Sequence, residues 1–274
     1  MTQRYDLKPA YSFEHAKTTA GQMVDENDYD LLINTDCDAY DEEGNPLFFF
    51  RKNAIPKNLC AAAYPALRSA ATPTSNRGMA GGIINEETKA EFEGVSEKTR
   101  LRIIKKDGTL SNTTRANSVN SGIVGYFDRT ARFPYCRQTA WYEKNFKQFK
   151  GAYPYIKKIS DLFAEACPPK YEAQYNMAKK THPDFMIKDT AFTTTTTFNT
   201  TTTFNTTQGT TTTFNTTTAF TTVTVNKNFR TALHTDAGDY EGGLGNLAVL
   251  QAGKYEGGYT VIPRYRVAFD VRTG

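Results

Sequence analysis

The sequence predicts an α+β fold whose short antiparallel strands form a barrel or jelly roll. Residues 142–176 carry apolar side chains at helical spacing, and from residue 221 onward alternating segments are separated by glycine turns. With 39% hydrophobic and 13% aromatic residues, the chain of 274 residues can bury a real core, which excludes wholesale disorder. We expect a single domain over residues 28–274, preceded by an N-terminal extension over residues 1–27.

The front half of this domain is predicted to contain a hairpin and a helix. Residues 28–50 predict two strands around a turn at Glu43–Pro46, because acidic and apolar residues alternate before Asn and Gly. Residues 56–71 are rich in Ala and Leu and predict a helix. The glycine-bearing loop TSNRGMAGG follows, and a charged, exposed stretch is expected around residues 85–107.

The back half is predicted to be helical first and β-rich afterwards. Apolar residues from Ile156 to Ala166 recur at helical spacing, and Pro168 and Pro169 end that helix. Beyond it, TTVTVNKNF and GNLAVLQAG are predicted strands. The last segment, GGYTVIPRYRVAFDVRTG, is predicted to form a further strand pair with glycine turns.

Residues 193–220 interrupt this pattern with a threonine-rich segment that contains no charged residue. The pentapeptide TAFTT occurs at residues 190–194 and again at 218–222, so we interpret the segment as a repeat expansion inserted into a strand or the turn before it. A β-hairpin extension and an irregular loop are both compatible with its pattern. The sequence suggests no function for this insert.

Composition leaves the class of partner open. A net charge of +4 fits a nucleic-acid partner, and it fits equally a soluble enzyme with a small substrate. The four cysteines contain no CxxC pair, which argues against a zinc knuckle and favours reduced thiols. No segment approaches the roughly 20 apolar residues of a membrane span, and the N-terminus is polar. We therefore predict a cytoplasmic, non-secreted monomer without a membrane partner.

The stretch FRTALHTDAGDY, residues 229–240, places His234 and Asp236 two residues apart. On a strand such residues point to the same face, so both side chains could hold one metal ion. An iron site of the 2-His-1-carboxylate type needs one further histidine. Taken alone, a histidine and an aspartate at this spacing can also be ordinary surface or hydrogen-bonded residues. The β-like stretch before the pair and the glycine-rich turns after it favour the metal site.

The segment from Phe220 to Gly274, which contains this pair, resembles the core of the TET/JBP family of Fe(II)- and 2-oxoglutarate-dependent dioxygenases. These enzymes oxidise the 5-methyl group of pyrimidines in nucleic acid. The phage, viral and protist-like branch is also similar in four upstream segments: INTDCDAYDEEGNPLFFFRKNAIP, NRGMAGG, GYFDRTARFPYCRQTAWY and YEAQYNMAKKTHPDFMIKDTAFTT. A phage- or virus-encoded member would act in the host cytoplasm or nucleoid.

The resemblance implies a fold, cofactors and a partner. The implied fold is a double-stranded β-helix (jelly-roll/cupin-like) core with a helical N-terminal elaboration. The implied cofactors are Fe(2+) and 2-oxoglutarate, with O2 as co-substrate. The implied partner is DNA, whose methylpyrimidine base must flip out of the duplex to reach a buried metal.

Carried over by position, His234 and Asp236 match the first two iron ligands of the family. Asp239 falls where related enzymes contact the Watson–Crick edge of the flipped base, and its alternative role is to stabilise the turn after Gly238. The candidate 2-oxoglutarate or substrate contacts, each with a plain strand role as the alternative, are Asn226, Asn228 and Arg230. The candidate DNA contacts, each with a solvated surface role as the alternative, are Asn76, Arg77 and Arg132, with Arg51, Lys52, Arg129 and Arg137 as further basic candidates.

The family's third ligand, a histidine, and an arginine that pairs with the distal carboxylate of 2-oxoglutarate lie downstream of the H-x-D pair. The histidines of this chain are His15, His182 and His234, and none follows Asp236. His182 is a poor substitute, so we expect a C-terminally truncated product with an incomplete barrel and weak iron binding.

Three functional hypotheses follow. The first is a DNA dioxygenase that hydroxylates 5-methylcytosine or thymine. The second is a 2-oxoglutarate oxygenase that acts on protein or a small molecule. The third is a degenerate, non-catalytic nucleic-acid-binding protein.

Overall fold

The computed structural model describes residues 2–82, 118–127, 135–181, 183–188, 203–205, 211–213, 217–236 and 240–274. Its α-helices are α1 (Phe13–Thr18), α2 (Lys57–Leu67), α3 (Ala140–Phe149), α4 (Tyr153–Ala166) and α5 (Pro168–Thr181). Its strands are β1 (Gln3–Asp6), β2 (Leu31–Ile33), β3 (Cys37–Tyr40), β4 (Pro46–Phe50), β5 (Thr72–Thr74), β6 (Val119–Phe127), β7 (Arg137–Gln138), β8 (Thr203–Asn205), β9 (Thr211–Thr213), β10 (Thr222–Asn226), β11 (Thr260–Ile262) and β12 (Val267–Phe269).

Helices α2, α3 and α4 form the helical layer of the main core. Helix α4 carries a proline in its first turn, where no intrahelical donor is lost, and buries Tyr155, Ile156 and Phe163 along one face. The predicted helix over residues 56–71 is confirmed by α2 and the short 3-10 turn that follows it. The predicted end of a helix before Pro168 is also confirmed, although a new helix, α5, begins at that proline. No helix in the described ranges combines the length and apolar character needed to cross a bilayer.

The main sheet has the order β10-β6-β5 and is antiparallel, with β7 pairing to the end of β6. On one face Val124 is buried, and Val223 and Val225 pack with it against the helical layer. Side chains alternate along a strand, so Ser121 and Asn226, which are partners in the β6–β10 register, lie on the opposite face. One face of the main sheet thus packs into the main core, and the opposite face carries the polar side chains of Ser121 and Asn226.

Two smaller sheets hold the N-terminal part of the chain. In the first, β1 is parallel to β3, and β3 and β4 form an antiparallel hairpin that confirms the predicted turn after residue 40. In the second, of order β11-β12-β2, β2 is parallel to β12. A second core of Ile33, Cys37, Val267 and Phe269 lies between these sheets. Strand β1, which belongs to the predicted N-terminal extension, is therefore part of a sheet with the domain.

The C-terminal segment departs from prediction in two places. The segment GNLAVLQAG was predicted to be a buried strand, but it forms no strand. It contributes a single β-bridge between Val249 and Thr273. The predicted strand pair is present as β11 and β12, but its turn is built by Pro263–Tyr265 and by Arg266 at a φ of 52° rather than by glycine. The described fold is α+β with mixed sheets, whereas purely antiparallel strands were predicted.

The threonine-rich segment contains the two strands β8 and β9, which pair antiparallel. Of the two predicted alternatives, a β-hairpin extension and an irregular loop, this pairing favours the hairpin. Its C-terminal end belongs to the core. Thr218 is 0% exposed, its hydroxyl donates to the Ile187 carbonyl at 3.0 Å, and Ala219 is 3% exposed. The second copy of the repeated TAFTT is thus part of the fold. The charged stretch predicted around residues 85–107 lies outside the described residues.

Candidate active site

The H-x-D loop is held between two other segments of the chain. The Ala232 N–H donates to the Ala80 carbonyl at 2.9 Å on one side. On the other side the Leu233 N–H donates to the Gln22 carbonyl at 2.9 Å, and the Gly21 N–H donates to the Leu233 carbonyl at 2.6 Å. Backbone hydrogen bonds on both sides therefore fix the loop directly before His234.

The side chains of His234 and Asp236 face each other. The Nδ1 of His234 lies 2.8 Å from the Ala232 carbonyl oxygen. Because a carbonyl only accepts, Nδ1 carries the proton, and the lone pair of Nε2 is left for a metal. Nε2 lies 3.3 Å from Oδ1 of Asp236. Two ligands in adjacent positions at about 2.1 Å from one ion are about 3 Å apart, so the two side chains fit one metal ion.

In the described ranges, no third side chain lies beside His234 and Asp236 as a possible metal ligand. Within them, no group of three His, Cys, Asp or Glu side chains could hold a metal ion. His15 lies on α1 with its ring 4.9 Å from that of Tyr11. His182 and Asp239 lie outside the described residues. The side chains of His234 and Asp236 are 26% and 72% exposed, so the pair is accessible from solvent.

Arg77 lies beside this pair in a half-buried position. Its Nε donates to the hydroxyl of Ser121 at 2.6 Å. Burial lowers the pKa of Arg77, and the negative charge of Asp236 opposes that shift. The guanidinium stays charged, because arginine does not deprotonate in proteins. Sequence reasoning missed Ser121, although a serine inside the apolar strand VNSGIVGYF was a signal for a buried polar contact.

The three predicted cosubstrate contacts lie near the loop in different settings. The side-chain oxygen of Asn226 accepts from the Ser121 hydroxyl at 2.5 Å. Asn228 is exposed at a φ of 47°, a left-handed conformation that asparagine tolerates at a turn. Arg230 donates from Nη2 to the Val24 carbonyl at 2.5 Å and so ties the loop to the N-terminal segment.

The predicted DNA contacts are scattered. Asn76 is exposed, one residue before Arg77. Arg51 and Lys52 are each paired with a carboxylate of the chain, at 2.7 and 3.3 Å, so both are engaged within the fold. Arg129 and Arg132 lie outside the described residues.

The chain resembles the oxygenases of the 2OGFeDO superfamily, and the loop with His234 and Asp236 lies within the matching residues. The model of the Tet_JBP oxygenase domain of this superfamily matches residues 122–274, which is more than half of the chain. The chain therefore belongs to the Tet_JBP family. Iron and 2-oxoglutarate are the cofactors that this superfamily uses, as its name states.

The chain is also similar to curated proteins of trypanosomes. The bifunctional helicase and thymine dioxygenase JBP2 of Trypanosoma brucei brucei is 32% identical over 212 residues, covering 74% of this chain and 16% of the relative. The JBP2 of Trypanosoma cruzi is 27% identical over 98% of this chain and 19% of the relative. The thymine dioxygenase JBP1 of Trypanosoma brucei brucei is 32% identical over 57% of this chain and 15% of the relative. The chain thus spans less than a fifth of these relatives, and no solved structure matches it.

Proposed function

We propose that this chain is the oxygenase domain of a DNA base dioxygenase, which uses Fe(2+), 2-oxoglutarate and O2 to hydroxylate the 5-methyl group of thymine. The observation that carries the proposal is the 3.3 Å approach of His234 Nε2 to Asp236 Oδ1, with Nδ1 of the imidazole engaged by a backbone carbonyl. The names of the relatives, which are thymine dioxygenases, support thymine over 5-methylcytosine and over a protein or small-molecule substrate.

His234 and Asp236 would hold the iron. The carbonyl of Ala232 keeps the imidazole in the tautomer that presents Nε2, and such an outer partner also makes the ligand more basic. Asp236 supplies an anionic oxygen at the neighbouring position. Bound iron and 2-oxoglutarate would supply the oxidation of an unactivated methyl group. The exposure of Asp236 leaves room for the cosubstrate and for a base turned out of its duplex.

Arg77 has a role in this site that differs from the predicted contact with phosphate. The charges of a divalent ion, Asp236 and dianionic 2-oxoglutarate sum to one negative charge. The guanidinium of Arg77, half-buried and within the field of Asp236, neutralises that charge. Its terminal nitrogens match a carboxylate, because a planar guanidinium binds carboxylate oxygens through parallel hydrogen bonds. We therefore assign Arg77 to a carboxylate of the cosubstrate.

The domain organisation fits the same proposal. The main sheet presents Ser121 and Asn226 on the face away from the helical core, as one wall of a double-stranded β-helix would. We propose that residues 28–274 form the oxygenase domain around this wall, with β1 of the N-terminal extension added to one of its sheets. We also propose that the threonine-rich hairpin is an insert in this domain and that the protein acts on DNA as a monomer.

The experiment is a product assay on short duplexes. The chain is incubated with Fe(2+), 2-oxoglutarate, O2 and a duplex that contains either thymine or 5-methylcytosine, and the digested nucleosides are resolved by mass spectrometry. We expect 5-hydroxymethyluracil from the thymine duplex. A duplex with uracil in place of thymine is the matched control, since it lacks only the methyl group.

Anaerobic titration separates this proposal from a degenerate, non-catalytic protein. We expect a metal-to-ligand charge-transfer band when Fe(2+) and 2-oxoglutarate are both present, and no band with His234→Ala. DNA binding without a band and without oxidised product would overturn the proposal in favour of the degenerate protein. Oxidised 5-methylcytosine with unreacted thymine would overturn the choice of base alone.

A further inference from the structure

A chain of three polar side chains runs across the open face of the main sheet. Nε of Arg77 donates to Oγ of Ser121 at 2.6 Å, and Oγ of Ser121 donates to Oδ1 of Asn226 at 2.5 Å. A serine hydroxyl has one hydrogen to donate, so this arrangement uses it on Asn226 and leaves a lone pair for Arg77. The direction of both hydrogen bonds is therefore fixed.

The sheet register places this chain of contacts rigidly. Ser121 on β6 and Asn226 on β10 are directly opposite each other in an antiparallel pair. Ser121 is 2% exposed, although it is polar and stands on the face away from the helical core. A buried hydroxyl is stable only when its hydrogen bonds are made, and here both of its partners are polar side chains of the site.

The far end of this chain of contacts, the guanidinium of Arg77, lies within the electrostatic field of Asp236. Of the charged groups around Arg77, Asp236 is the one whose charge raises its pKa against the effect of burial. Arg77 is thus held at Nε by Ser121 while its charge acts on the carboxylate of the H-x-D pair. A long side chain with four rotatable bonds would otherwise sample many positions over this surface.

We propose that Ser121 and Asn226 are positioning residues that hold the guanidinium of Arg77 at Asp236 and so preform the binding place of the cosubstrate carboxylate. The part that concerns the cosubstrate rests on the proposed function. Asn226 then acts through Ser121 rather than by touching 2-oxoglutarate. Preformed geometry matters because a binding group that must first be ordered binds more weakly.

The first test observes Arg77 directly, in the full chain and without cofactors. The Nε–H of an arginine gives a nuclear magnetic resonance signal when a hydrogen bond slows its exchange with water. We expect such a signal in the wild type, absent in Arg77→Lys, lost in Ser121→Ala and retained in Ser121→Thr, which keeps the hydroxyl. Asn226→Ala, at an exposed position, should weaken the protection while the protein stays folded.

The second test measures the cosubstrate. Ser121→Ala should raise the KM for 2-oxoglutarate on the order of tenfold with a smaller change in kcat, because a lost hydrogen bond leaves a half-buried donor unpaired. Anaerobic titration followed by the charge-transfer band should show the same loss of affinity. Thr224→Ala is the matched control, since Thr224 is exposed on the same face of β10, two residues from Asn226.

The outcomes separate the two proposals. A protected Arg77 signal that persists in Ser121→Ala, or an equal loss of affinity in Thr224→Ala, would overturn the positioning role. A wild type that shows no charge-transfer band and no oxidised base, yet loses the Arg77 signal in Ser121→Ala, would overturn the proposed function and leave the hydrogen-bonded chain intact.

Discussion

Ala232 donates its backbone N–H to the carbonyl oxygen of Ala80 at 2.9 Å, so the loop that carries His234 and Asp236 is fastened to the turn of the GMAGG segment. That turn, Gly78–Gly81, begins with Gly78 at a φ of 49° and is followed by Gly82 at a φ of 84°. Residues with side chains rarely adopt these angles. We therefore expect the glycines of this segment to help place the histidine and the aspartate, which lie far away in sequence.

Replacement of Gly82 by Ala is expected to disturb the site through this connection. The φ of 84° is combined with a ψ of 139°, a region open essentially to glycine, so the strain should cost about 1–3 kcal/mol. We expect a lower Tm together with weaker Fe(2+) binding, measured by thermal unfolding and anaerobic titration.

The matched control is Gly44→Ala in the β3–β4 turn, where φ is 82° and no atom would contact the added Cβ. It should lower the Tm and leave metal affinity unchanged. Equal metal affinity in both variants would show that the GMAGG turn does not position the pair.

Removal of the imidazole of His234 should abolish metal binding. His234→Ala leaves Asp236 as the only member of the pair, and one exposed carboxylate does not hold a divalent transition metal against water. The measurement is the quenching or absorbance change on anaerobic addition of Fe(2+). His15→Ala is the control, because His15 lies on α1 against the ring of Tyr11 and should bind no metal. Loss of binding in His15→Ala would contradict the assignment.

Free imidazole should strengthen iron binding. The described ranges hold no third His, Cys, Asp or Glu beside the pair. A coordination position left to solvent would accept a small ligand such as imidazole. We expect the affinity for Fe(2+) to rise several-fold in imidazole, while methylation of both ring nitrogens should remove the effect. An affinity that is independent of imidazole would indicate that the chain completes the site with a residue outside the described ranges.

Stability should fall in alkali as the thiol of Cys37 ionises. Burial raises the pKa of Cys37 from 9.0 to about 11. An unfolded chain loses this proton near pH 9, whereas the folded chain keeps it until about pH 11, so the contribution to stability is complete below pH 9 and is lost as pH rises through 11. Burial also raises the pKa of Tyr142 and Tyr155, with the same sign.

Denaturant unfolding as a function of pH tests this dependence. Cys37→Ala should lower stability at neutral pH, since it leaves a cavity in the second core, and should flatten the fall between pH 9 and 11. Parallel curves for the wild type and Cys37→Ala would show that this thiol does not contribute.

Local patterns predicted the elements that depend on neighbours in sequence. Helix α2, the end of α4 and the β3–β4 hairpin follow from composition, periodicity and turn residues within a few positions. GNLAVLQAG shows the limit of this reasoning, because its apolar run predicts a buried strand while the described residues place no partner strand beside it. The parallel pairs β1–β3 and β12–β2 were missed, since they join segments that are distant in the chain.

The proximity of His234 and Asp236 was predictable from the sequence, whereas the contacts around them were not. His234 and Asp236 share a strand-like spacing that the sequence displays directly. The contact of Arg77 with Ser121 depends on how a loop before β6 folds over the sheet, and no spacing along the chain encodes that distance. The tie between Arg230 and Val24 likewise needs the tertiary fold, because the two residues lie 206 positions apart.

The pairing of β2 with β12 also constrains how the protein is made. Leu31 cannot meet Val267 until the ribosome has moved 236 positions further along the chain. The same number of positions separates Asp30 from Arg266. At 5–20 residues per second, β2 emerges and waits on the order of 10–50 s for its partner. During that interval Ile33, which is buried in the second core of the folded protein, has no packing partner from β12. We therefore expect co-expression of a chaperone that holds nascent chains to raise the yield of folded protein.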